Sequence, residues 1–506
     1  MNNISYYNSD RLIFWKILGI KIINLKKEKK EKFPIFKTTY SLGPLQVKKS
    51  GCCRALYIGF IPVIGIVFKG NQKIAINLFG MTLCSLKRNR RTIPDNANAI
   101  REDRERTKKR LYINIGNLPY SDGRTGIPRV AKKILEEGLK DKDIEVLPVY
   151  FERDSLQLKI ANNYLCEKYG LKSSIIDDEV ITINSGDVLL NVLLDYIEVK
   201  GFSPIFKRIE KINGKVFFTI HDIMPLQYPQ YFKELTARRF EPWLRETLKY
   251  NGIITVSKSV MHDLKKWIED NGIKLKDNFT IDFFYLGADF KKNTSISLTK
   301  DESAVLKEIT TSPYFIQVST IEPRKGYEQL LGGFTLLWEK GFPYNLVFVG
   351  SKGWKVDDLC KKIEESKYYN KKLFWLSGVS DNFLVSLYKN SNWVIFASHA
   401  EGFGLALIEG LYFGKPVLAR DIAIFREIGG NNVTYFSGNG FSDIATSVEY
   451  FTNKSYTSNK NFNIPSWESS FRKITSILEG EENFVGDSEI IALGGASNET
   501  KDRPLG

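Results

Sequence analysis

The sequence predicts an α/β protein of two doubly wound domains, each a parallel sheet with helices on both faces, set about a cleft and preceded by a basic N-terminal extension. Three observations carry this. The 506 residues exceed the size at which a single hydrophobic core stops growing, so at least two domains are expected. From Leu111 onward, short apolar runs alternate with stretches of helical periodicity, the pattern of parallel strands joined by helices. That alternation occurs in two series of roughly 185 residues each, a usual domain size.

In the first series, Leu111–Ile115, Ile144–Tyr150, Val188–Leu194, Val216–Ile220, Ile253–Val256 and Ile281–Tyr285 read as buried strands. Ile127–Leu139 and Ser259–Ile268 carry helical periodicity between them. The second series has strands at Tyr314–Val318, Leu346–Val349, Leu373–Leu376, Trp393–Phe396 and Pro416–Ala419. Its helices fill Tyr327–Glu339, Asp381–Lys389 and Gly404–Tyr412, and Trp467–Leu478 reads as a terminal amphipathic helix. The join falls in the polar stretch between Phe290 and Ser312, which divides the body into domains 111–295 and 296–480. A polar tail, 481–506, lacks periodicity after Ile491 and is expected to be disordered. Ligands of such sheets gather at the carboxyl ends of strands, in a cleft between domains.

Charge separates the extension from the body. Residues 1–110 hold 24 Lys/Arg against 7 Asp/Glu, and the remaining 396 hold 49 against 51. The net +15 therefore belongs to the extension. Two of its segments, Leu18–Lys27 and Phe79–Arg88, form a weak repeat of apolar run, glycine and basic cluster. Between them, Ala55–Phe68 is uncharged but shorter than the about 20 residues that cross a bilayer. Asp10 near the start and the lack of a small-residue cleavage site argue against a signal peptide. Two readings stand equal. Either the apolar patches and basic edges lie on an anionic membrane surface, or they are β-hairpins with solvated Lys and Arg. Nucleic acid is not expected as a partner, because no zinc-finger, helix-turn-helix or RNP-like pattern occurs. Arg101–Arg110 reads as a solvated helix or linker. The five scattered cysteines (Cys52, Cys53, Cys84, Cys166, Cys360) build neither a disulfide framework nor a zinc site and suit a reducing compartment.

The segment most suggestive of chemistry is Phe396 to Gly410, where a strand ends, a loop carries Glu401, Gly402, Phe403 and Gly404, and a helix begins. Glycines there let backbone N–H groups approach a ligand, and a helix N-terminus favours an anion. Glu401 and Glu409, eight positions apart, could both face the cleft and grip hydroxyl groups such as a sugar presents. On spacing alone, a capping loop with one solvated glutamate is the better reading. Asp141-Lys142-Asp143 looks like an Asp-x-Asp metal motif only superficially, since it sits in a charged loop before a strand, and no metal is expected.

Glu401 to Glu409 resembles the E-x7-E signature of retaining glycosyltransferases of family 4 (glycosyl transferases group 1). Further resemblance, in order, comes from Ser319-Thr320-Ile321-Glu322-Pro323-Arg324-Lys325-Gly326, Gly350, Leu376 to Asp381, Gly414 to Ala419 and Phe425-Arg426-Glu427-Ile428-Gly429. It covers Leu111 to Leu478 and is strongest after Tyr314. It implies the two-Rossmann GT-B fold and roles for particular residues. Lys325 and Arg324 would neutralise the nucleotide diphosphate. Many members carry the arginine earlier, where Thr320 stands, and the Glu-Pro-Arg-Lys version is similar to surface-polysaccharide mannosyltransferases. Arg324 could instead pair with Glu322 or Glu328. Glu409 would accept hydrogen bonds from ribose hydroxyls, and Glu401 would lie near the donor sugar, with Gly402, Phe403 and Gly404 offering N–H groups. Gly378 and Val379 would line the base, Gly126 and Ile127, in Gly123–Val130, would face the diphosphate, and His221 would contact the donor sugar, with Asp222 orienting it or capping the next turn. His262 reads as surface and His399 as a support for the signature loop. The final helix of such a fold often crosses back to the first domain.

The resemblance implies an enzyme that moves a hexose, most readily mannose from GDP-mannose, onto a lipid-linked or growing surface glycan with retention of configuration, needing no cofactor and no metal. It implies a cytoplasmic protein, peripheral on the inner face of the cell membrane. Rhamnose or glucose from another nucleotide, a nucleotide-sugar 2-epimerase and a non-catalytic membrane-recruited scaffold are the alternatives.

Overall fold

The computed structural model describes residues 109–120, 126–152, 157–169, 178–193, 199–288, 297–454 and 465–480, together with the backbone of the strands between residues 26 and 102. The Gly123-Arg124-Thr125 turn, most of the first repeat segment and the 481–506 tail lie outside the described residues.

The chain divides into two compact units, residues 1–94 and 95–506. The first contains a seven-stranded antiparallel meander: β1 (Lys26–Glu28), β2 (Thr38–Leu42), β3 (Leu45–Ser50), β4 (Cys53–Ile58), β5 (Ile61–Lys69), β6 (Lys73–Leu78) and β7 (Met81–Lys87), paired in that order. The uncharged Ala55–Phe68 stretch thus supplies most of β4 and β5, which pair antiparallel with Ile58 opposite Ile61. The second repeat segment supplies β7, which returns on β6.

In the second unit, the stretch read as a solvated helix or linker contains a short strand instead. β8 (Arg101–Glu102) pairs in parallel with Thr182–Ile183, and Arg110 already belongs to the next strand. The first lobe then runs β9 (Arg110–Asn114), α1 (Ile127–Gly138), β10 (Glu145–Glu152), β11 (Gln157–Ile160), α2 (Asn162–Tyr169), β12 (Thr182–Ile183) and β13 (Val188–Asn191). It continues α3 (Val199–Lys211), β14 (Lys215–Ile220), α4 (Met224–Gln227), α5 (Glu234–Thr247), β15 (Gly252–Thr255), α6 (Lys258–Asp270) and β16 (Thr280–Phe283). The sheet order is β11-β10-β9-β13-β14-β15-β16, parallel except for the edge strand β11. Strands such as Val216–Ile220 are buried throughout, as expected for a parallel sheet covered on both faces.

The polar join carries a helix, α7 (Lys300–Ile309), started by a capping box in which Thr299 and Glu302 satisfy each other's backbone N–H. The second lobe follows as β17 (Tyr314–Val318), α8 (Tyr327–Glu339), β18 (Asn345–Val349), α9 (Asp357–Glu364), β19 (Leu373–Leu376), α10 (Asp381–Asn390) and β20 (Trp393–Phe396). It ends with α11 (Leu405–Tyr412), β21 (Val417–Arg420), α12 (Ala423–Gly429), β22 (Val433–Phe436), α13 (Phe441–Thr452) and α14 (Trp467–Glu479). Its six parallel strands lie in the order β19-β18-β17-β20-β21-β22. Both sheets reverse their winding direction beside their first strand, between β9 and β13 and between β17 and β20. Loops leaving the carboxyl ends of those strands diverge there and leave room for a ligand.

The last helix crosses back to the first lobe. Ser470 Oγ donates to the Tyr285 carbonyl at 2.7 Å, Lys215 Nζ reaches the Leu478 carbonyl at 3.1 Å, and Phe471 lies against Gly138 and Val146. Among the described residues no helix is long and apolar enough to cross a membrane. Phe471 is 3% exposed, so its truncation leaves a cavity between α14 and α1. Phe471→Ala is expected to lower stability by roughly 3–5 kcal/mol, read as an earlier denaturant midpoint.

Candidate functional site

The site is built from strand ends. After β17 the chain makes a single turn of 3-10 helix, Pro323–Lys325, which aims two cations at the loop following β20. Gln317 holds the two loops together: its side-chain amide donates to the Lys325 carbonyl at 3.1 Å and its oxygen accepts from Ala397 N–H. His399 N–H donates to the Arg324 carbonyl at 2.8 Å, closing the same contact.

Glu401 sits between the cations. Lys325 Nζ lies 2.5 Å from its Oε1, Arg324 Nη1 lies 3.0 Å from its Oε2, and Ser398 Oγ donates to Oε1 at 2.9 Å. Arg324 also reaches the Ala400 carbonyl, and its Nη2 is 3.0 Å from Glu322 Oε2. Of the two surface partners open to Arg324, Glu322 takes part, whereas Glu328 pairs with Lys362. Burial alone would raise the Glu401 carboxyl, but Lys325 and Arg324 outweigh it and bring it down to about 2. Burial pushes the Lys325 ammonium below its ordinary value, and the neighbouring Arg324 adds to this.

Opposite this cluster, His221 and Asp222 follow β14. The His221 ring points back into its own lobe, Nε2 lying 2.8 Å from the Val192 carbonyl, and burial brings it down to about 4, so the imidazole is neutral. Asp222 does not orient it. Its carboxylate accepts from Met224 N–H at 3.0 Å and caps the following turn. The His221 carbonyl is so close to Gly402 that a Cβ there would lie 2.1 Å from it, and only glycine can occupy the position. On the other side of Gly402, its carbonyl accepts from Ser257 Oγ, the N-cap of α6, at 2.9 Å. Phe403 is buried near Tyr285, and Gly404 forms the N-cap of α11. Ring contact with Tyr231 completes the surroundings of His399, whose imidazole burial lowers to about 4. His262 is exposed on α6.

Glu409 lies on the second turn of α11 and is 2% exposed. Arg129 Nη1, from the other lobe, is 2.5 Å from its Oε1, and the Tyr388 hydroxyl donates to its Oε2 at 3.0 Å. Arg129 belongs to the first turn of α1, which starts at Gly126 with φ 54°, in the region that favours glycine, and continues through Ile127 and Pro128. Gly378 and Val379 follow β19, the former exposed and the latter half-buried. In Asp141-Lys142-Asp143, the Asp141 carboxylate accepts from Asp143 and Ile144 N–H and so closes a turn.

The structure therefore brings together Arg324, Lys325, Glu401, Gly402 and His221, and on an adjoining seam Glu409, Gly126 and Ile127. It leaves Gly378 and Val379 at the end of a different strand. Sequence reasoning gave no role to Arg129, Tyr388, Ser257, Gln317 or Glu427. Glu427 accepts from the Lys258 and Ser259 N–H groups at 2.7 Å each and from Ser259 Oγ, placing a carboxylate on the N-terminus of α6 across the lobes. The signal available for Arg129 was its place within the Gly123–Val130 segment, in the first turn of the helix that segment opens. Glu427 stood within the Phe425–Gly429 motif without a role of its own, and Tyr388 and Ser257 looked like ordinary residues of a helix and its start.

Residues 299–461 match the family described as glycosyl transferases group 1. The serotype-specific mannosyltransferase WbdA of Escherichia coli is 37% identical over 379 residues, which cover 72% of this chain and 46% of that protein. This chain thus spans a little under half the length of WbdA. The O-antigen chain mannosyltransferase RfbU of Salmonella typhimurium (strain LT2) is 26% identical over 332 residues, 64% of this chain and 86% of its own. Among solved structures, the sucrose-phosphate synthase of Thermosynechococcus elongatus superposes with a TM-score of 0.52 at 14% identity, covering 74% of this chain and 99% of that one. The likeness shows the shared GT-B architecture of two facing Rossmann-like domains.

The depressed His221 predicts acid sensitivity. Between its ordinary value near 6.5 and about 4, the unfolded chain binds a proton that the folded chain refuses, so stability falls as pH drops through this window. The loss for His221 is on the order of 3 kcal/mol. Denaturant titrations at pH 7, 5.5 and 4.5 are expected to show it, and a shallower slope in His221→Asn is the check.

Proposed function

On the match of residues 299–461 to the glycosyl transferases group 1 family, we propose that the chain is a retaining glycosyltransferase of family 4 that moves mannose from GDP-mannose onto a lipid-linked or growing surface glycan. The observation that carries this reading is the convergence of Arg324, Lys325 and Glu401 on one point beside the Gly402–His221 contact. The name of WbdA supports mannose as the sugar.

On this reading, the bond between the sugar's anomeric carbon and the diphosphate oxygen breaks while the acceptor hydroxyl oxygen bonds to that carbon from the same face. The acceptor proton passes to the leaving phosphate. Negative charge grows on the diphosphate as the bond breaks, and the fixed cations of Arg324 and Lys325 in a water-poor cleft stabilise it. Glu401 and the N–H groups of Gly402, Phe403 and Gly404 address the sugar, neutral His221 bounds it from the first lobe, and Glu409 takes the ribose. Gly378 and Val379 flank the base, and Gly126 and Ile127 face the phosphates. No side chain serves as a nucleophile and no metal is needed.

A panel of nucleotide sugars assayed for transfer tests the donor. GDP-mannose is expected to be used, with activity kept after exhaustive chelation. Transfer from a different nucleotide sugar, or rescue by magnesium or manganese, overturns the corresponding part of the reading. Lys325→Ala is expected to reduce turnover on the order of 10²-fold, and undiminished transfer sinks its phosphate role.

Residues 1–110 serve, in this proposal, as a basic surface that holds the enzyme at the inner face of the cell membrane, near its lipid-linked acceptor. Each Lys or Arg near an anionic surface contributes about 1 kcal/mol, and the excess cations of this region are not needed for phosphate binding. The full chain is expected to co-sediment with phosphatidylserine vesicles at low salt and to be released by high salt. A chain lacking residues 1–94 that binds those vesicles equally well contradicts this role.

A further inference from the structure

The carboxylate assigned above to the ribose is occupied from both sides. Tyr388 is fully buried and holds Oε2 from within α10, whereas Arg129 holds Oε1 and keeps 28% of its side chain exposed. Of the three groups, Arg129 is the one that stands between Glu409 and solvent. It comes from the opposite lobe, so the pair also fastens α1 to α11.

A ribose offers only neutral hydroxyl donors. Removing a guanidinium from a carboxylate that is 2% exposed leaves charge uncompensated on both partners, and hydroxyl groups alone do not make up that loss. A diphosphate can. Its oxygens accept from a guanidinium in the same bidentate manner as a carboxylate and carry more charge. The Arg129 side chain issues from the first turn of α1, whose N-terminus itself favours an anion.

We infer that Arg129 is a specificity-determining latch: it occupies the place on Glu409 that the ribose hydroxyls require and yields it only when phosphate oxygens of the same ligand take the guanidinium in exchange. The inference rests on the ribose role proposed for Glu409 and adds a selection to it. Nucleosides are refused and nucleoside diphosphates accepted at one carboxylate, and the fastening between α1 and α11 is released as the donor enters.

Calorimetric titration of the full chain with GDP and guanosine, with UDP and uridine in parallel, tests this. One diphosphate is expected to bind about tenfold or more tighter than its nucleoside. Saturating inorganic pyrophosphate is expected to raise the affinity for that nucleoside in the wild-type chain, because it draws Arg129 away, and the coupling must be reciprocal. In Arg129→Ala the nucleoside is expected to bind tightly without pyrophosphate, and added pyrophosphate brings no further gain. Pyrophosphate that leaves nucleoside affinity unchanged or lowers it in the wild type overturns the latch, and that arm needs no variant to fold. An Arg129→Ala chain that loses nucleoside and diphosphate affinity alike overturns it as well. Glu409→Ala separates the two levels. If it leaves nucleoside binding intact, the ribose role falls. If it abolishes binding while the pyrophosphate effect is missing, only the latch falls. A chain that binds neither diphosphate refutes the donor reading and the latch with it.

Discussion

Buried positive charge at the end of β17 is the constraint on which the site depends. Arg324 and Lys325 are both largely removed from solvent, where an unpaired cation is prohibitively costly. The fold answers with Glu401, delivered from the next strand in the sheet and shared by the two cations, and with Glu322 on the far side of Arg324. The loops after β17 and β20 must therefore lie side by side, and Gln317 fixes their spacing through the backbone. The short helical turn at Pro323–Lys325 and the conformation of the loop from Ala397 to Gly404 follow from that one requirement.

The two lobes meet on the same loop, and the seam is made chiefly by groups that fit in one arrangement. Gly402 lies between the His221 carbonyl and the Ser257 hydroxyl, with no room for a side chain. Glu427 receives two backbone N–H groups from the start of α6, and Trp354 Nε1 donates to the Tyr231 carbonyl at 2.8 Å. These contacts are directional and use main-chain atoms, so they set where the lobes rest, beside an apolar patch in which Met224 and Phe232 of the first lobe pack with Ala400 of the second.

Most of the second lobe was legible in the sequence, because its strands are continuous apolar runs and its helices have the matching period. Phe396 to Gly410 displayed its strand, loop and helix openly, and so did the Glu-Pro-Arg-Lys turn. The misreadings have separate causes. Arg101–Glu102 looks like part of a charged helix, yet pairs with Thr182–Ile183, about 80 residues later, which no local pattern reveals. α7 was hidden because its outer face is charged and its burial is confined to Ile309. Arg129 and Glu427 escaped because their partners are far away in sequence: Arg129 meets a glutamate 280 residues downstream and Glu427 meets Lys258 N–H 169 residues upstream. Asp222 was assigned two possible duties, and the nearer backbone N–H took it.

The return of α14 to the first lobe also bears on how the protein is made. Tyr285 receives its hydrogen bond from Ser470, and the backbone at Gly287 lies against that of Trp467. The whole second lobe is synthesised between those partners. At a ribosomal pace of about 5–20 residues per second, the first lobe waits some tens of seconds with the surface of α1 uncovered by Phe471. The emerging chain must stay soluble with that apolar groove open. It is the stage of biogenesis at which a chaperone would find this protein most in need of cover.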